Sequence, residues 1–178
     1  MRLSESELAR RGTRVQQLLR PISRRETGPA WSRLSLGTSH IIIGTHDEAR
    51  SSSHYRDWRF TIDAARHYAM YFEDWRSEAR NLFVLDKAYL NVYLRTEMSE
   101  TEIVCLHCDP SLPPSDEHAK YKRGPHIHMS VAGSPYDAAH IALQGPDLTP
   151  ILNSTDSLHK ALAWGVQMIR DEIIEAIS

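Results

Sequence analysis

Three stretches of the chain alternate apolar and polar residues, and this alternation limits most narrowly what the sequence can fold into. The stretches are residues 58–63, 82–95 and 101–108. Successive side chains of a β-strand point to opposite faces, so each stretch predicts a strand with one buried face. Only a short polar segment, residues 97–100, separates the last two strands, and we therefore expect them to form a hairpin.

Other segments carry further strand and helix signals. Two more strands are expected, at residues 33–44 and around His126. Helices are expected where capping residues precede apolar residues at helical spacing, namely at residues 4–20, 63–79 and 156–177 and in a short segment that starts at Ser134. The order of these elements predicts a single α+β domain over residues 1–178. It would be a mostly antiparallel β-sheet of about five strands, with an N-terminal helix, a central helix and C-terminal helices packed on it.

Composition places the chain among ordinary globular proteins. Its 178 residues are 41% hydrophobic and 25% charged, which suits one domain with a substantial core. A net charge of −2 argues against broad nucleic-acid binding, and the apolar runs are too short to cross a membrane. Two cysteines do not make the disulfide framework of a small secreted scaffold. We therefore expect a cytoplasmic protein with reduced thiols.

His126 and His128 form the pattern that is most informative about function. On a strand, both imidazoles point to the same face with their backbones roughly 6.6 Å apart. Ile127 and Met129 then face an apolar core on the other side. Neutral imidazole is the commonest metal ligand, so the pair predicts a metal site. A solvent-facing strand that binds no metal accounts for the same pattern.

The preceding strand offers a third histidine. If residues 101–108 lie beside the His126 strand, His107 completes a set of three ligands, the arrangement of a catalytic zinc with one open position. Zinc-bound water is a nucleophile near neutral pH, which makes metal-assisted hydrolysis the leading expectation. Glu102, Asp109 and Asp137 are the candidates for a general base or a fourth ligand.

Cys105 and Cys108 provide an alternative metal site because they have C-x-x-C spacing. Together with His126 and His128 they supply the residue types of a structural zinc site. A strand, however, directs the two thiols to opposite faces, whereas zinc binding needs a tight knuckle between them. A redox role for this pair is also disfavoured, because nothing places Cys105 at the N-terminus of a helix.

Three family motifs are similar to parts of this region. His126 and His128 followed by Ser134 and Asp137 resemble the JAMM metalloprotease motif, H-x-H with a downstream S-x-x-D. That resemblance would make Asp137 a zinc ligand with the two histidines, Ser134 an oxyanion helper and Glu102 the catalytic acid. The H-x-H stretch also looks like one half of the two-histidine phosphoesterase motif, and with the upstream cysteine it is similar to the pterin synthases. Each resemblance covers about ten to twenty residues, and we assign the chain to none of these families.

Two other functions remain open from the sequence. The N-terminal helix is rich in arginine, including Arg10, Arg11 and Arg14, which suits a non-catalytic accessory module that binds a protein partner. Alternatively, His126 and His128 act as acid and base in a phosphodiesterase that needs no metal.

Overall fold

An antiparallel β-sheet forms the body of the molecule. The structure, a computed structural model, describes residues 1–47, 54–110, 124–129, 139–143 and 154–177. Within these residues nine strands join in one sheet: β1 Arg2–Ser4, β2 Ala30–Leu36, β3 His40–His46, β4 Phe60–Thr61, β5 His67–Ala79, β6 Leu82–Arg95, β7 Glu100–Cys108, β8 His126–Met129 and β9 Ala139–Ala142. The main order is β2-β3-β5-β6-β7-β8-β9, while β1 pairs with one end of β6 and β4 pairs with β5.

In the part of the chain that the structure describes, two long helices accompany the sheet, α1 Glu5–Leu19 and α2 Thr155–Ile169. Ser4 caps α1 with the predicted capping box, which satisfies backbone amides that the first helical turn leaves unpaired. After α2 the helix continues through a wider π-type turn, Arg170–Ile174, into a final turn, Glu175–Ile177. No helix in the described part of the chain is long and apolar enough to cross a membrane.

The prediction of an antiparallel α+β fold is confirmed. The predicted number of about five strands is wrong, and so is the predicted central helix. The segment predicted as that helix is the long strand β5. Its first nine residues, His67 to Trp75, are all buried except the half-buried Tyr68, because one face meets the helices and the other meets a second apolar cluster around Phe72. A strand buried on both faces loses its polar–apolar alternation, and its apolar residues then fit helical spacing by coincidence.

Two other corrections raise the number of strands. The single strand predicted at residues 33–44 is the hairpin of β2 and β3, which turns at Gly37 with a φ of +62°. The helix predicted to start at Ser134 lies partly outside the described residues. The described residues of that segment form strand β9 instead. Strands β6 and β7 do pair as the predicted hairpin.

The helices cover one face of the sheet and bury the main core there. Apolar residues of β5, β6 and β7 meet the apolar faces of α1 and α2. The approach of α2 to β7 is close, because a methyl group on Gly165 would lie only 2.7 Å from a methyl carbon of Leu106. The central strands are therefore held firmly by the layer of helices behind them.

A buried ion pair crosses this interface. The Arg11 guanidinium of α1 donates to both carboxylate oxygens of Glu73 on β5, at 2.6 to 3.1 Å. Tyr71 and Trp75 also donate to this carboxylate, at 2.7 and 3.0 Å. Burial alone would raise the pKa of Glu73, but Arg11 and these hydrogen bonds hold it below its usual range. The third guanidinium nitrogen of Arg11, Nη1, lies 3.3 Å from Nδ1 of His159 on α2, so one cluster links both helices to the sheet.

We expect Glu73→Gln to destabilise the protein by about 3 kcal/mol or more, because it leaves the buried Arg11 cation without its counter-charge. The free energy of unfolding in urea measures this. The matched control is Asp156→Asn, which breaks the exposed pair between Arg14 and Asp156 and should leave stability nearly unchanged. Equal effects of the two substitutions would contradict the central role of the buried pair.

Candidate metal centre

The sheet register places the three predicted histidines on one face. His107 on β7 lies directly opposite His126 on β8, and Cys105 lies opposite His128. Directly opposed residues of antiparallel strands point to the same face, so these side chains share the face that is turned away from the helices. Ile127, between the two histidines, points the other way and is buried in the main core. The apolar anchor of β8 therefore determines the direction of both imidazoles.

The three rings converge. Nε2 of His107 lies 2.8 Å from Nε2 of His128, and the ring centroids of His107 and His126 are 4.1 Å apart. One ring nitrogen from each histidine lies within 4.8 Å of the other two. His126 and His107 are buried and His128 is half-buried. The set predicted from the sequence is thus brought together.

Two of the rings have a partner for the nitrogen that faces outward. Nδ1 of His126 lies 2.8 Å from the carbonyl oxygen of Gly124, which can only accept, so this nitrogen carries the proton. Nδ1 of His107 lies 3.1 Å from a carboxylate oxygen of Asp109. Neutral His126 therefore presents the lone pair of Nε2, and a proton on Nδ1 of His107, directed to the Asp109 carboxylate, would leave the Nε2 lone pair of that ring free as well. Metal-binding histidines typically have this arrangement.

Asp109 is itself held in place from strand β6. The Tyr89 hydroxyl donates a 2.6 Å hydrogen bond to the second oxygen of Asp109. Burial would raise the pKa of Asp109, but the contacts with His107 and Tyr89 outweigh it and leave the pKa below the usual value. Conversely, burial and the hydrogen bond to Asp109 raise the pKa of Tyr89. The carboxylate is therefore ionised and can only accept hydrogen bonds.

The three histidines could hold a metal ion. Two imidazole nitrogens on a tetrahedral zinc are about 3.4 Å apart, given metal–nitrogen bonds of about 2.0–2.1 Å. The separation of 2.8 Å between His107 and His128 would have to widen by about half an ångström, which a small rotation of the half-buried His128 side chain can supply. Three protein ligands leave one tetrahedral position for water or substrate.

Glu102 lies on the same face as the histidines, contrary to the simple alternation predicted for β7. The register shifts between Val92 and Tyr93 on β6, so that Val104 and Glu102 pair with consecutive residues and Ile103 is bulged. Asn91 donates both to the Glu102 carboxylate and, at 3.3 Å, to Sγ of Cys105. This places Glu102 one row beyond the histidines. The other predicted catalytic residue, Asp137, lies outside the described residues, as does Ser134.

Cys105 and Cys108 do not converge. Cys105 is on the histidine face, opposite His128, whereas Cys108 is part of the main core beneath the helices. Both thiols are buried, and burial raises the pKa of each, with nearby carboxylates adding to the effect. This geometry separates the ligands of the alternative Cys₂His₂ zinc site.

A second group of metal-binding residue types lies at the other end of this face, where His40, Asp74 and Asp86 meet. Nδ1 of His40 lies 2.7 Å from Asp74 and 3.9 Å from Asp86. Each carboxylate also contacts a cation, because Lys87 lies 4.0 Å from Asp74 and Arg76 lies 3.2 Å from Asp86. The sequence pattern does not reveal this group, because its spacing predicts a helix over residues 63–79, which include Asp74.

The arginines of α1 do not form one exposed surface. Arg11 is almost fully buried in its pair with Glu73, and Arg14 is paired with Asp156 of α2. Charge reversal at Arg11 would therefore disrupt the core rather than test a docking surface.

Comparison with protein-family models, with curated protein sequences and with solved structures finds no match to this chain.

The thiols provide a test of this arrangement. We expect neither Cys105 nor Cys108 to react appreciably with a thiol reagent such as DTNB at pH 8 in the native protein, because both are buried and have raised pKa values. Both should react quickly in about 8 M urea, because unfolding exposes the two thiols to the reagent. The reaction is followed by absorbance. A rapid reaction of one thiol per chain under native conditions would show that the histidine face at Cys105 is open.

Proposed function

We propose that this protein is a metal-dependent hydrolase that binds a zinc-type ion through His107, His126 and His128. The single observation that carries the proposal is the convergence of the three rings, with Nδ1 of His126 hydrogen-bonded to the Gly124 carbonyl and Nδ1 of His107 3.1 Å from the Asp109 carboxylate. An imidazole with that pattern has one nitrogen left to bind the ion.

The ligand set favours catalysis over a purely structural site. Structural zinc sites are closed by four protein ligands, whereas catalytic sites use three and keep one position for water. A metal ion at this position would lower the pKa of its bound water and make hydroxide available near neutral pH. Half-burial of His128 leaves one side of the cluster accessible to solvent, as a substrate requires.

Proton transfer is assigned to Glu102. Three described carboxylates on or next to β7 lie on this face. Asp109 contacts His107 and Tyr89, and Glu100, two residues further from the cluster than Glu102, is paired with Arg59. Glu102 contacts Asn91, which also contacts Cys105 opposite His128. The Glu102 carboxylate therefore lies one row along the same face from Cys105 and His128, outside the ligand set.

A metal-free alternative has one observation in its favour. The 2.8 Å contact between Nε2 of His107 and Nε2 of His128 is the geometry of a direct histidine–histidine hydrogen bond. Such a pair can act as acid and base on a phosphodiester without a metal. Activity that survives complete removal of metal by EDTA would select this alternative.

The first measurement is metal content. We expect the purified, zinc-loaded and dialysed protein to hold one zinc per chain by elemental analysis, and His126→Ala/His128→Ala to hold none, because two of three ligands are removed. His40→Ala is the control, since it alters only the second group and should retain the zinc. Wild-type protein without zinc, or loss of zinc in His40→Ala alone, would contradict the proposal.

The second measurement is hydrolysis. We expect the zinc-loaded protein to cleave an activated substrate, a p-nitroanilide peptide or bis(p-nitrophenyl) phosphate. In Glu102→Gln the kcat should fall by about 100-fold at unchanged zinc content, because proton transfer is lost while the ligands remain. Tyr93→Phe, on the neighbouring strand opposite Glu102, is the control. Unchanged kcat in Glu102→Gln would remove this residue from the mechanism.

A further inference from the structure

The contact between His107 and Asp109 continues into the sheet. Asp109 follows the last residue of β7, two positions after His107, and its carboxylate lies against the outer nitrogen of that ring. The opposite nitrogen, Nε2, faces His128. Asp109 therefore lies behind His107 as seen from the centre of the cluster, outside the group of atoms that could bind the ion directly.

Tyr89 completes the arrangement from β6. It lies directly opposite His107 in the register, its hydroxyl donates to Asp109, and its ring packs edge-on against the imidazole with centroids 4.9 Å apart. The other side of Tyr89 packs against Phe72 of β5, at a centroid distance of 5.5 Å. Both the carboxylate and the imidazole are thus fixed by side chains on the rigid central strands.

We propose that Asp109, held by Tyr89, is the positioning residue of the metal centre, which fixes His107 as an Nε2 ligand with its proton on Nδ1. This inference rests on the proposed function, because it assigns the residue that prepares one of the three ligands. An ionised carboxylate behind a histidine orients the ring, selects the tautomer and makes the ligating nitrogen more basic. Such outer partners typically change metal affinity by about 10- to 100-fold when they are removed.

The same contact accounts for the metal-free geometry. With its proton on Nδ1, His107 can only accept at Nε2, so the 2.8 Å contact requires His128 to donate from its own Nε2. Binding of a metal ion through Nε2 of His128 would then require the proton of that ring to move from Nε2 to Nδ1, whereas His107 would already be in the required tautomer. The carboxylate thereby lowers the cost of converting the free cluster into a ligand set.

The test measures zinc affinity and the tautomer of His107 separately. Zinc affinity is determined by competition with a chromogenic chelator, for wild type, Asp109→Asn and Tyr89→Phe. We expect about 10- to 100-fold weaker binding in Asp109→Asn, and a smaller loss in Tyr89→Phe, which keeps the carboxylate but removes its hydrogen bond. The matched controls are Glu100→Gln, at an exposed carboxylate of β7 that pairs with Arg59, and Tyr93→Phe on β6. Both make the same kind of chemical change and should bind zinc like wild type.

The tautomer is read from long-range ¹H–¹⁵N correlation spectra of the metal-free protein, in which a protonated and an unprotonated ring nitrogen have distinct shifts. We expect the proton of neutral His107 on Nδ1 in wild type and a redistribution towards Nε2 in Asp109→Asn. A wild-type proton on Nε2, or equal zinc affinity of Asp109→Asn and wild type, would overturn the inference. If wild type binds no zinc, the proposed function fails, while the tautomer still decides whether Asp109 sets the state of His107.

Discussion

The buried ion pair between Arg11 and Glu73 is the interaction on which the arrangement of the layers depends. It joins α1 to the central strand β5, and its contact with His159 extends it to α2. Two charges in the core are costly unless their hydrogen bonds are complete, and here Tyr71 and Trp75 complete those of the carboxylate. Because the buried pair needs all of these hydrogen bonds, it holds the helices against the sheet in one orientation. The face of the sheet turned away from the helices takes no part in this pair.

The face turned away from the helices can hold the histidine cluster because the apolar core that stabilises the fold lies on the helix side. Ile127 and Leu106 pair across β7 and β8 and are buried beneath the helices. A one-residue slip between these strands would expose them and turn the histidines into the core. The hydrophobic effect therefore sets the register, and the register places His107, His126 and His128 together.

Groups outside the three candidate ligands also contact the histidine rings of the candidate centre. The Asp109 carboxylate, which accepts a hydrogen bond from Tyr89, lies against the outer nitrogen of His107, and the Gly124 carbonyl accepts from the outer nitrogen of His126, so the inner nitrogens face the centre of the cluster before any ion arrives. This distinguishes the cluster from the group around His40, whose carboxylates are already paired with lysine and arginine. Preorganised ligands bind a metal ion with less loss of entropy and less rearrangement.

The local sequence pattern by itself determined three features: the capped first helix, the hairpin of β6 and β7, and the shared face of His126 and His128. Each of them depends only on the alternation or spacing of neighbouring residues. The sequence of strand β5 predicts a helix instead, because a strand buried on both faces lacks the alternation of polar and apolar residues. The bulge that brings Glu102 to the histidine face, the meeting of His107 with Asp109 and Tyr89, and the burial of Arg11 were decided only by the tertiary structure. Each of these depends on strand order, register or packing between segments far apart in the chain, which spacing within one segment does not specify.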